Sequence, residues 1–143
     1  MVTEADKKLL DAALEAQKQA HCPFSRYPVG AAVRTTDGEL FTGCNVESAS
    51  FSLTCCAERV AVFKAVSEGK PNLEACAIVT VEGKPAPPCG ACRQVLFEFG
   101  QNMRIVLGNP EGEVRVLELF DLLPEGFAAE QILQRAEQTE GVD

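Results

Sequence analysis

Long apolar runs are missing from this sequence of 143 residues. No stretch approaches the roughly eighteen apolar residues that a membrane-spanning helix requires. The start of the chain also lacks the charged and then apolar pattern of a secretory signal. We therefore expect neither a membrane span nor secretion, and we expect the protein to lie in the cytoplasm.

Basic residues are scarce and dispersed. The chain has 13 Lys and Arg against 21 Asp and Glu, which gives a formal net charge of −8. Proteins that bind nucleic acid usually carry a basic patch, and no cluster of Lys or Arg stands out in this sequence. A small neutral molecule is therefore a better expected partner than a nucleic acid.

Internal repeats, linkers and low-complexity segments are also lacking. Hydrophobic residues make up 46% of the chain, which is enough for a core of ordinary size. We therefore expect residues 1–143 to form a single domain.

The order of the periodic segments predicts an α/β fold. An amphipathic helix is followed by a β-hairpin, after which helices and strands alternate. The expected helices cover residues 4–20, a segment that starts near Cys56, residues 90–99 and residues 127–135, and the expected strands cover residues 29–35, 39–44, 75–81, 104–107 and 114–117. This order indicates a three-layer α/β/α sandwich with a mixed five-stranded sheet, followed by an acidic tail that we expect to fray.

Cysteine is abundant, with seven residues. An odd number of cysteines without a secretory signal indicates reduced thiols rather than disulfides. Three of them occur in two short motifs, Cys56-Ala57-Glu58 and Cys89-Gly90-Ala91-Cys92. Structural zinc sites use four protein ligands, whereas catalytic sites use three and leave one position for water. Three thiolates beside one carboxylate therefore predict a catalytic zinc site.

Helix geometry gives each residue of these motifs a position. Cys89 and Cys92 are three residues apart at the start of a predicted helix, so they share one face, and the helix N-terminus lowers the pKa of thiols there. Glu58 is about 200° around the helix from Cys56, so we expect it to face a bound water and transfer its proton rather than to bind the metal. Arg59 lies on the same side as Cys56 and is expected to offset the charge of the thiolates.

These two motifs, extended to Pro88-Cys89-Gly90-Ala91-Cys92-Arg93-Gln94, resemble those of the cytidine deaminase family in its short, three-cysteine, homotetrameric form. Two further segments, residues 23–32 and 43–50, are similar to the PYSxFPVGAA and GCNVENAS segments of that family. The resemblance extends over nearly the whole chain. It implies zinc-dependent hydrolytic deamination of cytidine and deoxycytidine to uridine and deoxyuridine, with release of ammonia, in pyrimidine salvage.

The resemblance also implies a role for individual residues. Cys56, Cys89 and Cys92 would bind Zn²⁺, and Glu58 would be the proton shuttle. The implied substrate contacts are Asn45 and Glu47 with the ribose, Phe24 stacking near the pyrimidine, the backbone N–H of Ala57 with the 2-carbonyl, and Phe127, which would reach the pocket of a neighbouring subunit. The sequence departs from the family pattern at several of these segments, with Phe24 in place of tyrosine and Ser48 in place of asparagine.

Two alternatives stay open from the sequence. A deaminase of another amino-pyrimidine nucleoside would carry the same zinc motif. A structural zinc-binding module would need a fourth protein ligand, and Cys55 is the nearby candidate, although we expect it to be a packed apolar side chain. The sequence does not rank cytidine against deoxycytidine.

Overall fold

The structure is a computed structural model that describes residues 1–140, and the final part of the acidic tail, residues 141–143, lies outside the described residues. The helices are α1 (Glu4–Gln17), α2 (Ala57–Ser67), α3 (Gly90–Phe99), α4 (Leu119–Leu122) and α5 (Ala129–Glu140), and a short 3₁₀ turn covers Phe51–Leu53. The strands are β1 (Gly30–Thr35), β2 (Leu40–Cys44), β3 (Leu73–Val79), β4 (Arg104–Gly108) and β5 (Val114–Glu118).

The five strands form one mixed sheet in the order β2-β1-β3-β4-β5. The hairpin of β1 and β2 is antiparallel, as are the pairs β1–β3 and β4–β5. Strands β3 and β4 are parallel, because α3 carries the chain back between them. The expectation of a mixed five-stranded α/β sandwich is confirmed.

Helices cover both faces of the sheet. Along β3 the side chains alternate, so that Cys76 and Ile78 join one core cluster while Ala77 and Val79 join the other. The first cluster packs under α2 and α3, and the second packs under α1 through the fully buried Leu9. Three layers result, and the site residues lie on the α2 and α3 side.

Helix α1 ends earlier than the sequence pattern predicts. It starts with a capping box, in which Thr3 accepts a hydrogen bond from the Asp6 backbone N–H and the Asp6 side chain accepts one from the Thr3 backbone. The pattern extended to residue 20, but the helix ends at Gln17. The chain turns at this point because the His21 N–H donates to the Asn45 carbonyl at 2.9 Å, which fixes this segment beside the end of β2.

Close contact between β2 and α2 places the start of α2. A Cβ atom built at Gly43 would lie 2.5 Å from the carbonyl oxygen of Ala57 and 2.5 Å from the backbone nitrogen of Ala61. No larger residue fits without moving the helix, so this glycine lets α2 lie directly on β2. No helix within residues 1–140 combines the length and apolar character needed to cross a membrane.

Candidate active site

The N-termini of α2 and α3 bring three cysteines together. Cys56 and Cys89 are the N-cap residues of the two helices, and Cys92 lies in the first turn of α3. The Sγ atoms of all three lie within 4.8 Å of one another, and those of Cys56 and Cys89 are 3.9 Å apart. The structure therefore assembles the three cysteines that the motifs single out.

Cys55 is not part of this cluster. Within residues 1–140, the cluster of potential metal ligands consists of Cys56, Cys89 and Cys92. The backbone of Cys55 instead pairs with Val46 through two hydrogen bonds of 2.9 Å, and burial raises the pKa of its thiol. This arrangement leaves the site with three protein sulfurs and no fourth.

The thiol of Cys56 is stabilised as a thiolate. Its pKa is lowered mainly by a hydrogen bond with Cys92 and further by the guanidinium of Arg59. The Arg59 Nη2 donates to the Cys56 Sγ at 3.4 Å and to the Thr54 carbonyl at 3.3 Å, so a backbone contact holds the guanidinium in place. The hydrogen bond with the Cys56 thiolate, together with burial, raises the pKa of Cys92. Negative charge is thus concentrated at two helix N-termini, where the helix dipole favours it.

The carboxyl group of Glu58 lies beside the thiols in a dry environment. Its residue is 4% exposed, and burial raises the pKa of the carboxyl, while a hydrogen bond with Cys92 acts in the opposite direction. A carboxyl with a raised pKa can hold and release a proton closer to neutral pH than an exposed one. This environment suits proton transfer.

A cavity of about 370 Å³ opens next to these groups. It is lined by Ser25, Tyr27, Val29, Asn45, Thr54, Cys56, Ala57, Glu58, Ile78, Thr80, Ala86, Pro87, Pro88 and Cys89. Small-molecule sites are mostly apolar clefts of about 300–1,000 Å³ with a few placed polar groups, and this cavity fits that description. Its polar lining includes the Glu58 carboxyl and the Asn45 amide.

Two of the expected substrate contacts, Asn45 and Ala57, line the cavity. The Asn45 side chain is also tied to the chain before β1, because its Oδ1 accepts from the Val29 N–H at 2.9 Å and its Nδ2 donates to the Tyr27 carbonyl at 2.7 Å. Ala57 is the first residue of α2, so its N–H has no partner within the helix. The geometry leaves that N–H available to a ligand.

Glu47 lies just outside the cavity lining. Its Oε1 accepts from the N–H groups of Phe24 at 2.9 Å and Ser25 at 3.2 Å. Hydrogen bonds from the Ser25 side chain and from these N–H groups hold the pKa of Glu47 below its usual value. In this chain, Glu47 holds the segment that contributes Ser25 to the cavity lining.

Phe24 and Phe127 are both exposed and are not part of the cavity wall. Phe24 is 52% exposed, and its ring makes an edge contact with the ring of Phe51 at a centroid distance of 5.5 Å. Phe127 is 56% exposed, and its carbonyl accepts a hydrogen bond from the Gln94 Nε2 at 2.8 Å. Neither ring contacts a ligand site within the described part of this single chain.

Two residues that the sequence reasoning did not assign also shape the site. Arg93 follows Cys92 and donates to the Pro88 carbonyl at 2.8 Å and to the Leu122 carbonyl at 2.9 Å, which fixes the loop before Cys89. Thr80 lies directly after β3 and lines the cavity. The position of Arg93 directly after Cys92 could have marked it as a residue of the site, whereas no local motif marks Thr80.

The three sulfurs fit a zinc ion. With Zn–S bonds of about 2.3 Å in a tetrahedron, the sulfur atoms lie about 3.8 Å apart. The 3.9 Å between Cys56 and Cys89 agrees with that spacing. Thiolates are also among the preferred ligands of zinc, so both the donor type and the geometry fit.

Comparisons with known proteins agree on one family. Residues 3–109 match the family model described as the cytidine and deoxycytidylate deaminase zinc-binding region. The chain is 43% identical over 133 residues to the cytidine deaminase of Sporosarcina psychrophila, covering 92% of this chain and 98% of that protein. It is 45% identical to the cytidine deaminase of Burkholderia pseudomallei, whose crystal structure matches with a TM-score of 0.83 over 88% of this chain and 100% of that chain.

Proposed function

Since the chain belongs to the cytidine and deoxycytidylate deaminase family, we propose that it is an enzyme that hydrolyses cytidine to uridine and ammonia. The observation that carries this proposal is the cavity that holds three clustered thiols and the buried Glu58 together. A metal-binding group and a proton carrier beside one small-molecule cavity are the parts that hydrolytic deamination requires.

Cys56, Cys89 and Cys92 would hold the zinc ion, and Glu58 would carry the protons. Bound zinc lowers the pKa of water and so supplies a nucleophile near neutral pH. Glu58 takes the two protons of the attacking water in turn, and passes the first to the ring nitrogen N3 and the second to the departing amine. Its burial supports this role, because a carboxyl shielded from bulk water exchanges protons with the groups inside the cavity.

Arg59 adjusts the charge of the site. Three thiolates bound to one dication would leave a net charge of −1, which weakens the effect of the metal on bound water. The guanidinium that donates to the Cys56 sulfur offsets this charge. Arg59 is therefore a positioning and charge-balancing residue that acts through Cys56.

The substrate contacts follow from the cavity wall. The unpaired N–H of Ala57 would bind the 2-carbonyl of the pyrimidine, and Asn45 would bind the ribose. The Oε1 of Glu47 accepts from the N–H groups of Phe24 and Ser25. We propose that its second carboxylate oxygen, Oε2, also binds the ribose. Phe24 would stack near the pyrimidine once the cavity mouth is covered.

The substrate is expected to be an unphosphorylated nucleoside. No Lys or Arg is among the cavity-lining residues found in the described chain. With a net charge of −8, the protein would also repel a phosphorylated ligand. We propose deoxycytidine as a second substrate and pyrimidine salvage as the physiological task.

Exposed apolar side chains support assembly into a homotetramer. Phe51 is 72% exposed and Leu53 is 71% exposed in the 3₁₀ turn before α2, and Ile132 and Leu133 of α5 are 57% and 60% exposed. Large apolar side chains exposed in adjacent or near-adjacent pairs are typical of protein–protein contacts. We propose that a neighbouring subunit covers them and that Phe127 of one subunit reaches the cavity of another.

A single domain and a cytoplasmic location complete the proposal. The five strands form one sheet and helices pack on both of its faces, which supports treating residues 1–143 as one domain. All seven cysteines are free thiols, and thiolate ligands persist in a reducing compartment. These features support an enzyme of the cytoplasm.

The test is the absorbance change on mixing the purified protein with cytidine and, in parallel, deoxycytidine, with zinc per chain measured on the same sample. We expect loss of the cytosine chromophore with both nucleosides at one zinc per chain. Zinc without turnover would contradict the proposed reaction and favour another amino-pyrimidine nucleoside. Turnover with cytidine alone would contradict the wider substrate range.

A further inference from the structure

Thr80 carries a buried hydroxyl without a partner in the protein. The residue is 4% exposed, and its Oγ1 has no hydrogen-bond partner among residues 1–140. Arg34 and Arg59 also have one unpaired buried nitrogen each, but their guanidinium groups donate to other partners. In the described part of the chain, Thr80 is thus a buried side chain whose whole hydrogen-bonding capacity is unused.

The position of Thr80 places its side chain on the cavity side of the sheet. Cys76 and Ile78 of β3 face the core under α2 and α3, and the strand period of two continues to Thr80. Ile78 and Thr80 both line the cavity that contains Glu58. The hydroxyl is therefore on the reactive side of the sheet.

The fold itself does not require this hydroxyl. The Thr80 backbone already continues the sheet by donating from its N–H to the Gly108 carbonyl at 3.4 Å. A valine has nearly the same shape and an equally good strand propensity, and it would bury no polar atom. Leaving a buried hydroxyl unpaired destabilises a protein, so the expected partner is a ligand of the cavity.

We propose that the Thr80 hydroxyl hydrogen-bonds the pyrimidine at the C4 position, where the amine is replaced by a carbonyl. Thr80 lines the same cavity as Pro87, Pro88 and Cys89, the segment that leads into the cysteine cluster. Ser25 and Tyr27, whose segment Asn45 and Glu47 hold, line this cavity as well. This inference rests on the proposed function.

The chemistry of a hydroxyl suits this position. The amine of cytidine is a hydrogen-bond donor, whereas the 4-carbonyl of uridine is an acceptor. A threonine hydroxyl can accept from the first and donate to the second by rotating about its C–O bond. Thr80 would thus contact both substrate and product without making or breaking a covalent bond.

The experiment compares Thr80→Val with Thr80→Ser. Thr80→Val keeps the shape and removes the hydroxyl, so we expect kcat/KM for cytidine to fall about 10-fold, the loss of one ordinary hydrogen bond. We expect its Tm to rise by roughly 3 °C, because a buried unpaired hydroxyl is removed. Thr80→Ser retains the hydroxyl and should recover most of kcat/KM.

Thr35→Val is the matched control. Thr35 is also a buried strand threonine, but its hydroxyl is paired with the Asp37 carboxylate and accepts from the Glu39 N–H at 2.9 Å. Removing it should lower the Tm and leave kcat/KM unchanged, the reverse of the Thr80→Val result. The pair separates a hydroxyl that supports the fold from one that serves a ligand.

Nucleosides that lack one sugar hydroxyl locate the contact. If Thr80 contacts the base, Thr80→Val should cause the same fold-loss in kcat/KM for cytidine and its 2′-, 3′- and 5′-deoxy analogues. A loss that disappears with one analogue would place the contact on the sugar and overturn the inference. An unchanged kcat/KM or a lower Tm for Thr80→Val would also overturn it. If the wild-type protein does not turn over cytidine, the proposed function and this inference fail together.

Discussion

Two buried carboxylates on opposite faces of the sheet have opposite environments. Asp6 of α1 is 0% exposed, and Glu58 of α2 is 4% exposed. Arg104 donates to both oxygens of Asp6 at 3.0 and 2.8 Å, and this hydrogen bonding lowers the pKa of Asp6 to about 2. The burial of Glu58 outweighs its hydrogen bond with Cys92, so its pKa is raised.

The difference separates a carboxylate that supports the fold from one that is available for chemistry. Asp6 caps α1 and binds Arg104 at the start of β4, so it joins a helix to the sheet. The side of the sheet that carries Glu58 also carries the unpaired Thr80 hydroxyl and the unpaired Arg59 Nε. The Asp6 carboxylate is paired with Arg104 on both oxygens, whereas Glu58 and the Thr80 hydroxyl keep capacity for a ligand of the cavity.

The largest expected effect comes from Glu58→Gln. The amide keeps the size of the carboxyl but cannot transfer a proton, so we expect turnover of cytidine to fall about 10²–10⁴-fold. The free energy of unfolding should stay the same or rise, because a buried acid is replaced by a neutral group. Steady-state kinetics and urea unfolding on the same preparation check both expectations.

Zinc per chain provides the control for Glu58→Gln, because the three cysteines are untouched and the metal content should match the wild type. Wild-type turnover in the variant would show that Glu58 does not carry protons in the reaction. A large loss of stability would instead make Glu58 a structural residue like Asp6 and would break the contrast between the two faces.

Asp6→Asn should have the reverse outcome with a smaller effect. Removing the charge weakens the hydrogen bonds from Arg104, so we expect the free energy of unfolding to fall by roughly 1.5–3 kcal/mol, with kcat/KM per folded molecule unchanged. Urea unfolding measures the first quantity and cytidine turnover at low temperature the second.

Glu4→Gln is the matched control on the same helix. Glu4 and Lys7 form an exposed pair with 83% and 59% of their side chains accessible. Exposed pairs contribute about 0–1 kcal/mol, so this variant should be almost as stable as the wild type. Equal losses in the two variants would show that the Asp6 pair has no special role.

The sequence predicts the features that depend on local spacing. Cys89 and Cys92 occur within one short motif at a helix start, and helix geometry places them near each other. Their meeting with Cys56 on a second helix was predicted from the donor chemistry of the two motifs and from the family resemblance, not from local spacing. The mixed sheet likewise follows from the order of the segments, and it is confirmed. Local patterns are less reliable at element ends, and α1 stops at Gln17 because a tertiary hydrogen bond from His21 turns the chain.

Contacts between distant parts of the chain could not be predicted. Arg104 and Asp6 are 98 residues apart, and nothing local to either residue indicates the pair. The role of Thr80 could not be predicted from the sequence either, because its hydroxyl stands out only once the fold buries the residue in the cavity that Glu58 also lines. Phe24 and Phe127 stay predictions, because their expected roles depend on a neighbouring subunit or a bound nucleoside.

The pH dependence of stability gives the finest comparison of the two carboxylates. The folded pKa of Asp6, about 2, lies below its ordinary value of 3.8. The stability from Asp6 is therefore complete above the ordinary value and is lost as the pH falls through the folded value. The difference in unfolding free energy between the wild type and Asp6→Asn should be constant near neutral pH and shrink between about pH 4 and about pH 2. Urea unfolding at a series of pH values measures it. A difference that is independent of pH over this range would mean that Asp6 stabilises the fold through its shape and its cap on α1. The ion pair with Arg104 would then contribute nothing to stability.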